Sequence, residues 1–204
     1  MKYEIRLNLI SYVANPYWAE QSTLITIGKA VHPKLGDTKK LQAIEAQCQK
    51  MGLTIDDYHR LQGAIKRKWY RLDNNDPTSP IIIPASNFVA SLSHGISIAP
   101  GPIKKPIGDK DSLRCFISAT DLVSNPAKIK ADRLDERWFK NPISNERRLQ
   151  TDEVLDNTQF VGTIEVADHI KQDELKRFLD YTFRYAGIGA ARKMGFGRGT
   201  VEIK

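Results

Sequence analysis

Hydrophobic and polar residues alternate with period two at the start of the chain. Tyr3, Ile5, Leu7 and Leu9 are set against Glu4, Arg6 and Asn8, which predicts a half-buried strand with one polar face. Asn15-Pro16 breaks the pattern. Thr23 to Ile27 fits a second strand or a short extended segment, and His32-Pro33 with Gly36-Asp37 marks a loop. From Lys39 to Met51 the period changes. Leu41, Ile44 and Cys48 fall at steps of three and four, so a helix is expected, stopped by Gly52. A second helix starts at Thr54, whose hydroxyl can accept from first-turn amides while Asp57 reaches back in a weak form of capping box. Its apolar stripe is Tyr58, Leu61, Ile65, Trp69 and Leu72, and its other face carries Arg60, Lys66, Arg67, Lys68 and Arg71.

Asp73 to Pro80 is a turn-rich linker. Ile81 to Ile83 is a short strand or extended run, and a helix follows from Pro84, Ser86 and Asn87 through Leu92, with Gly95 as its stop. Leu113 to Ile117 has the character of a buried strand. Asn125 to Asp156 is charge-dense and aperiodic, with Arg133, Arg137, Lys140, Arg147 and Arg148, and is expected to form a mobile loop or an extended hairpin. Strand character resumes from Phe160 to Val166. From about Gln172 an amphipathic helix carries Leu175, Phe178, Leu179, Phe183 and Ala186 on one face, and Thr200 to Ile203 forms a last strand. Interspersed strands and helices with long connections predict an α+β architecture in one domain, 1–204, with an excursion at about 125–156.

Composition narrows the class. The 204 residues are 41% hydrophobic and 27% charged, with a net charge of +7, as in ordinary globular proteins able to bury a core. No apolar run is long enough to span a membrane, and Lys2, Glu4 and Arg6 interrupt the start where a signal peptide needs apolar residues. Cys48 and Cys115 match no metal spacing, so reduced thiols in the cytoplasm are the expectation, with no metal and no cofactor. The charge points to a polyanionic partner.

That charge has a location. Five glycines fall between Gly187 and Gly199, in a loop joining the last helix to the last strand and carrying Arg192, Lys193 and Arg198. From Lys176 onward the net charge is +5 over 29 residues. Guanidinium and ammonium groups, with the amides of Gly189, Gly195 and Gly197, suit phosphate oxygens. The loop ends in neither the Gly-Lys-Ser/Thr of a P-loop nor the strand-to-helix order of a dinucleotide fingerprint. Phe196 between glycines fits either stacking on a base or anchoring the loop into the core.

Gly187-Ile188-Gly189, a basic insert with Arg192 and Lys193, and Gly195-Phe196-Gly197 together resemble the glycine-rich signature of the RAMP superfamily of CRISPR-associated proteins. Ile83 to Leu92, Ile-Pro-Ala-Ser-Asn-Phe-Val-Ala-Ser-Leu, is similar to the strand-to-helix segment of backbone subunits of CRISPR effector complexes. The resemblance implies a ferredoxin-like or RRM-like sheet with packed helices, and binding of a guide RNA backbone in an RNA-guided antiviral ribonucleoprotein. The implied partners are guide RNA, other effector subunits and further copies of the chain, with no membrane. A virus-encoded mimic of such a subunit fits the same pattern, and the 125–156 excursion would serve as a thumb over the RNA. The RNA-contact set is Gly187, Gly189, Arg192, Lys193, Gly195, Phe196, Gly197, Arg198, Lys66, Arg67, Ser86 and Asn87.

Two other readings stand beside this one. Another branch of the family cuts repeat RNA without a metal, which needs a base near neutral pKa. Of His32, His59, His94 and His169, His32 in its loop is the best placed. Some backbone subunits cut target RNA through an acidic loop residue with a metal; Asp37 is the early loop acid, and as a residue after Gly36 it fits a turn better. The third reading is a basic scaffold that contacts protein only.

Overall fold

A computed structural model describes the backbone of residues 1–14, 18–29, 31–32, 35–65, 69–140 and 147–204. In chain order the elements are β1 (Lys2–Tyr12), α1 (Trp18–Lys29), α2 (Asp37–Lys50), α3 (Ile55–Ile65), β2 (Tyr70–Arg71), β3 (Ile81–Ile83), α4 (Ala85–Ile98), α5 (Gly101–Lys104) and α6 (Lys110–Phe116). They continue with β4 (Ile117–Ala119), β5 (Leu122–Asn125), β6 (Arg133–Lys140), β7 (Arg147–Val166), α7 (Gln172–Tyr181), a π-helical turn (Thr182–Ala186), a short 3₁₀ turn (Arg192–Met194) and β8 (Gly199–Ile203). Mixed helices and an antiparallel sheet make the architecture α+β.

Contacts divide the chain into two compact units, one of Met1–Ala14 with Tyr70–Lys204 and one of Asn15–Trp69. In the first, the strands run in the order β2-β3-β5-β7-β1-β8, with β4 and β6 also paired to β7. β1 lies between β7 and β8, antiparallel to both, so that Leu7 sits opposite Phe160 on one side and Val201 on the other. The period-two pattern becomes geometry: Ile5, Leu7 and Leu9 are buried, while Arg6 and Asn8 are half-buried on the opposite face and Ile10 is 67% exposed. Phe88 and Leu92 of α4, Leu175, Phe178 and Leu179 of α7 and Phe183 of the π-helical turn are buried as well, with α4 against β4 and the π-helical turn and α7 against β8. Phe88 and Phe183 stack at 5.5 Å. Burying each such side chain contributes about 1.5–3 kcal/mol.

The excursion is an extended hairpin. β7 runs for 20 residues, its first half paired with β6 from Arg133↔Val154 to Lys140↔Arg147 and its second half inside the main sheet. The root of this ribbon is braced by Arg133 Nε to Asp156 Oδ2 at 2.7 Å and by the Asp156 N–H to Asp132 Oδ2 at 2.9 Å. Further out, Leu134 and Trp138 are 59% and 71% exposed.

Three expectations are corrected. Thr23 to Ile27 is helical, inside α1, where Ile27 is buried and the helix packs on α3, so packing overrides β-branched propensity. Leu113 to Phe116 is helical and only Ile117 begins a strand; the Asp109 carboxylate caps α6, accepting from Ser112 N–H at 2.8 Å and Asp111 N–H at 3.1 Å. Gly95 does not stop α4, which continues to Ile98. A Cβ there would lie 2.1 Å from Oγ1 of Thr182, so glycine serves close helix–helix approach.

In the second unit α2 and α3 form as expected. Thr54 N–H donates to Asp57 Oδ2 at 2.9 Å and Asp57 N–H donates to Thr54 Oγ1 at 3.1 Å, a reciprocal capping box. Helix α3 is described over Ile55–Ile65 and Trp69 is buried outside it, while Leu72, in the first unit, is exposed after β2, so the expected stripe does not lie on one helix. Among the described residues no helix is long and apolar enough to cross a membrane.

Candidate functional site

The glycine loop is bound tightly to the end of β1. Ile188 N–H donates to Gly197 O at 2.9 Å, Ala190 N–H to Val13 O at 2.9 Å, Gly197 N–H to Ser11 O at 2.7 Å, and Ile10 N–H to Arg198 O at 3.0 Å. Gly189 and Gly197 have φ of +85° and +72°, and a Cβ on them would lie 2.2 Å from Val13 O and 1.7 Å from Ile188 O. These glycines are therefore required by backbone crossing. The expectation that the amides of Gly195 and Gly197 face phosphate is corrected, since Gly195 N–H is bonded to Arg192 O at 3.0 Å and Gly197 N–H to Ser11. Phe196 is 8% exposed and packs with Val13, Val154, Ala190 and Ala191. It anchors the loop at the ribbon root, which leaves no exposed ring face for a base.

Beside this loop a cavity of about 560 Å³ opens on β1, β7 and β8. Its floor is Asn8, Leu9 and Ile10 of β1 with Thr158 and Gln159 of β7 and Thr200 of β8. Register makes the polar row: Asn8 lies opposite Gln159 on one side and Thr200 on the other. Gln159 Nε2 donates to Asn8 Oδ1 at 2.8 Å, and Asn8 Nδ2 donates to Glu202 Oε1 at 3.2 Å. The chain of bonds orients the amides. Asn157, in the left-handed region at φ +45°, also lines the cavity.

Two guanidinium groups complete the lining, Arg198 from the loop and Arg184 from the π-helical turn. Both are exposed, and among the described residues neither has a carboxylate partner. Among the described residues no acidic one lines the cavity. Forked cationic donors over a row of neutral amides and hydroxyls can bind phosphate oxygens while offering hydrogen bonds to sugar or base edges.

The basic residues of the loop do not converge. Arg198 lines the groove, whereas Arg192 is half-buried and Lys193 is exposed outside that lining. Arg192 acts electrically on His94. Burial first, then the charges of Arg192 and Lys110, hold the His94 imidazole below its ordinary pKa. Ser86 is exposed and Asn87 half-buried on the first turn of α4. There the Ala85 N–H donates to Asp121 Oδ1 at 2.8 Å, so a carboxylate already holds a helix terminus that would otherwise suit an anion. Lys66 and Arg67 lie outside the described residues.

His32 is exposed in the second unit, whereas the groove is lined by the first unit. His59 and His169 are exposed, His169 edge-on to Phe116 at 4.7 Å. Asp37 opens α2 and pairs with Lys40 at 3.7 Å. Among the described residues no group of His, Cys, Asp and Glu side chains is arranged to hold a metal ion. Sequence reasoning missed Asn8, Asn157, Gln159 and Thr200, because their convergence depends on strand register. Arg184 had a signal, as a basic residue on the outer face of the last amphipathic helix.

No family model matches the chain, and no curated protein matches it. Solved structures resemble it. A chain of a Type IV-B CRISPR complex is 7% identical, with 100% of this chain and 90% of that chain covered and a TM-score of 0.47. A chain of the Type III-B Cmr-beta complex bound to cognate target RNA is 12% identical, with 100% and 59% covered and a TM-score of 0.42. Cmr6 from Pyrococcus furiosus is 10% identical, with 98% and 97% covered and a TM-score of 0.35.

Proposed function

We propose that the chain binds the backbone of a single-stranded guide RNA as a RAMP-like subunit, or a mimic of one, in an RNA-guided antiviral complex. The observation that carries this reading is the groove lined by Arg184 and Arg198 together with Asn8 and Gln159, with no acid in its lining among the described residues. Its cations offer sequence-independent phosphate contacts, which dominate affinity for nucleic acid. The glycine signature supports the family assignment, and the sheet with helices on its buried face supports a ferredoxin-like or RRM-like interpretation. The β6–β7 ribbon, with Trp138 exposed near its far end, supports the role of an arm reaching along RNA or a neighbouring subunit.

Fluorescence anisotropy of a labelled single-stranded RNA at low salt tests the reading. Wild-type protein is expected to bind, and Arg198→Ala to weaken binding about tenfold, the scale of one charge-assisted contact. No binding at low salt would overturn it, leaving a scaffold that contacts protein only.

A further inference from the structure

A second cleft lies on the outer face of the last helix, with a volume of about 310 Å³ and a lining of Ile103, Arg177, Asp180, Tyr181, Arg184 and Tyr185. Arg184 lines this cleft and the sheet groove alike, so the two openings share one cationic residue. The rings of Tyr181 and Tyr185 are 4.7 Å apart with planes tilted by 46°. Tyr181 is half-buried and fixed, its hydroxyl donating to Ile98 O at 3.1 Å, while Tyr185 is 55% exposed. Leu175, Phe178, Leu179, Phe183 and Ala186 form the buried face of this helix, and the tyrosine pair lies outside it.

The charges around the pair have one sign in effect. Arg177 and Arg184 are exposed and, among the described residues, have no carboxylate partner. Asp180 is the acid in the lining, and its carboxylate is paired with Lys176. An exposed aromatic ring beside a fixed one, in a lining that also holds Arg177, whose Nε donates to Asp173 O at 3.4 Å, and Arg184, has the parts of a nucleotide-stacking platform.

The geometry points to a stacking step for single-stranded RNA. A strand leaving the sheet groove at Arg184 places its next base on Tyr185, with Tyr181 behind that ring and Arg177 and Arg184 on the flanking phosphates. This rests on the RNA reading of the groove and extends the binding track onto the helix. Charge complementarity and the Arg184 shared with the groove argue for RNA over an apolar peptide, which would have no use for two guanidinium groups.

The test uses two oligoribonucleotides carrying 2-aminopurine, one long enough to fill only the groove and one several nucleotides longer. Tyr185→Ala is expected to weaken the longer RNA about tenfold and abolish quenching of its terminal 2-aminopurine, while leaving the shorter RNA unaffected. Tyr185→Phe should restore both, since stacking needs the ring and not the hydroxyl. Thermal melting of Tyr185→Ala serves as the folding control. Equal affinities of wild type and Tyr185→Ala for both lengths would overturn the stacking step and leave the groove reading intact. Absence of RNA binding by wild type would remove both.

Discussion

Gly197 and Ile188 are locked together: the Ile188 N–H donates to Gly197 O at 2.9 Å, and a Cβ on Gly197 would fall 1.7 Å from Ile188 O. The loop thus crosses itself at van der Waals limit, with Gly197 at φ +72°. Gly197→Ala combines left-handed strain with a backbone clash and is expected to cost about 2–4 kcal/mol. Denaturant unfolding checks this. An unchanged midpoint would mean that the crossing is not a structural constraint.

Phe196 separates an anchor from a stacking ligand. At 8% exposure, with Val13 and Val154 around it, Phe196→Ala is expected to destabilise the fold by about 3 kcal/mol through the cavity it leaves. Phe196→Leu should retain most of both stability and RNA affinity. A variant as stable as wild type but impaired in RNA binding would restore the base-stacking role.

His94 provides a pH-dependent readout of Arg192. Burial, then Arg192, then Lys110 lower its pKa, so between the folded and the ordinary value the unfolded state binds more protons than the native one. Stability therefore rises with pH across that interval and falls as pH drops through about 6.5 and below. Arg192→Ala is expected to raise the His94 pKa part of the way back, because burial is the larger cause, and to flatten the acid loss of stability. NMR titration of the imidazole C–H resonances measures the shift. No movement would show that Arg192 does not face His94.

Trp138 should be silent in the isolated fold. Its 71% exposure on the ribbon means that Trp138→Ala is expected to change stability by less than about 0.5 kcal/mol. Thermal melting checks this, and a large drop would mean that the ribbon packs back on the body.

The parts of the fold written in the sequence are those set by local period and local caps. The alternation in β1, the Leu175 to Ala186 stripe, and Thr54 with Asp57 act within a few residues, and each appears where the pattern places it. Helix α1 and the role of Gly95 were not legible, because packing on α3 and the approach of Thr182 are long-range facts. The site divides in the same way. The glycine loop and Arg198 are visible as a cluster, whereas Asn8 and Gln159 stand 151 positions apart and meet only through strand register. The amides of Gly195 and Gly197 looked available because sequence shows glycine and not its bonding partners.

The most direct measurement of the central claim is the salt dependence of RNA binding for wild type and for the Arg184→Ala, Arg198→Ala double variant. Each phosphate contact to a single strand contributes about 0.7 to the slope of log affinity against log salt, so losing two should lower its magnitude by about 1.4. A shallower slope with weaker binding is the expected result. A double variant with the affinity and slope of wild type would contradict the assignment of the groove.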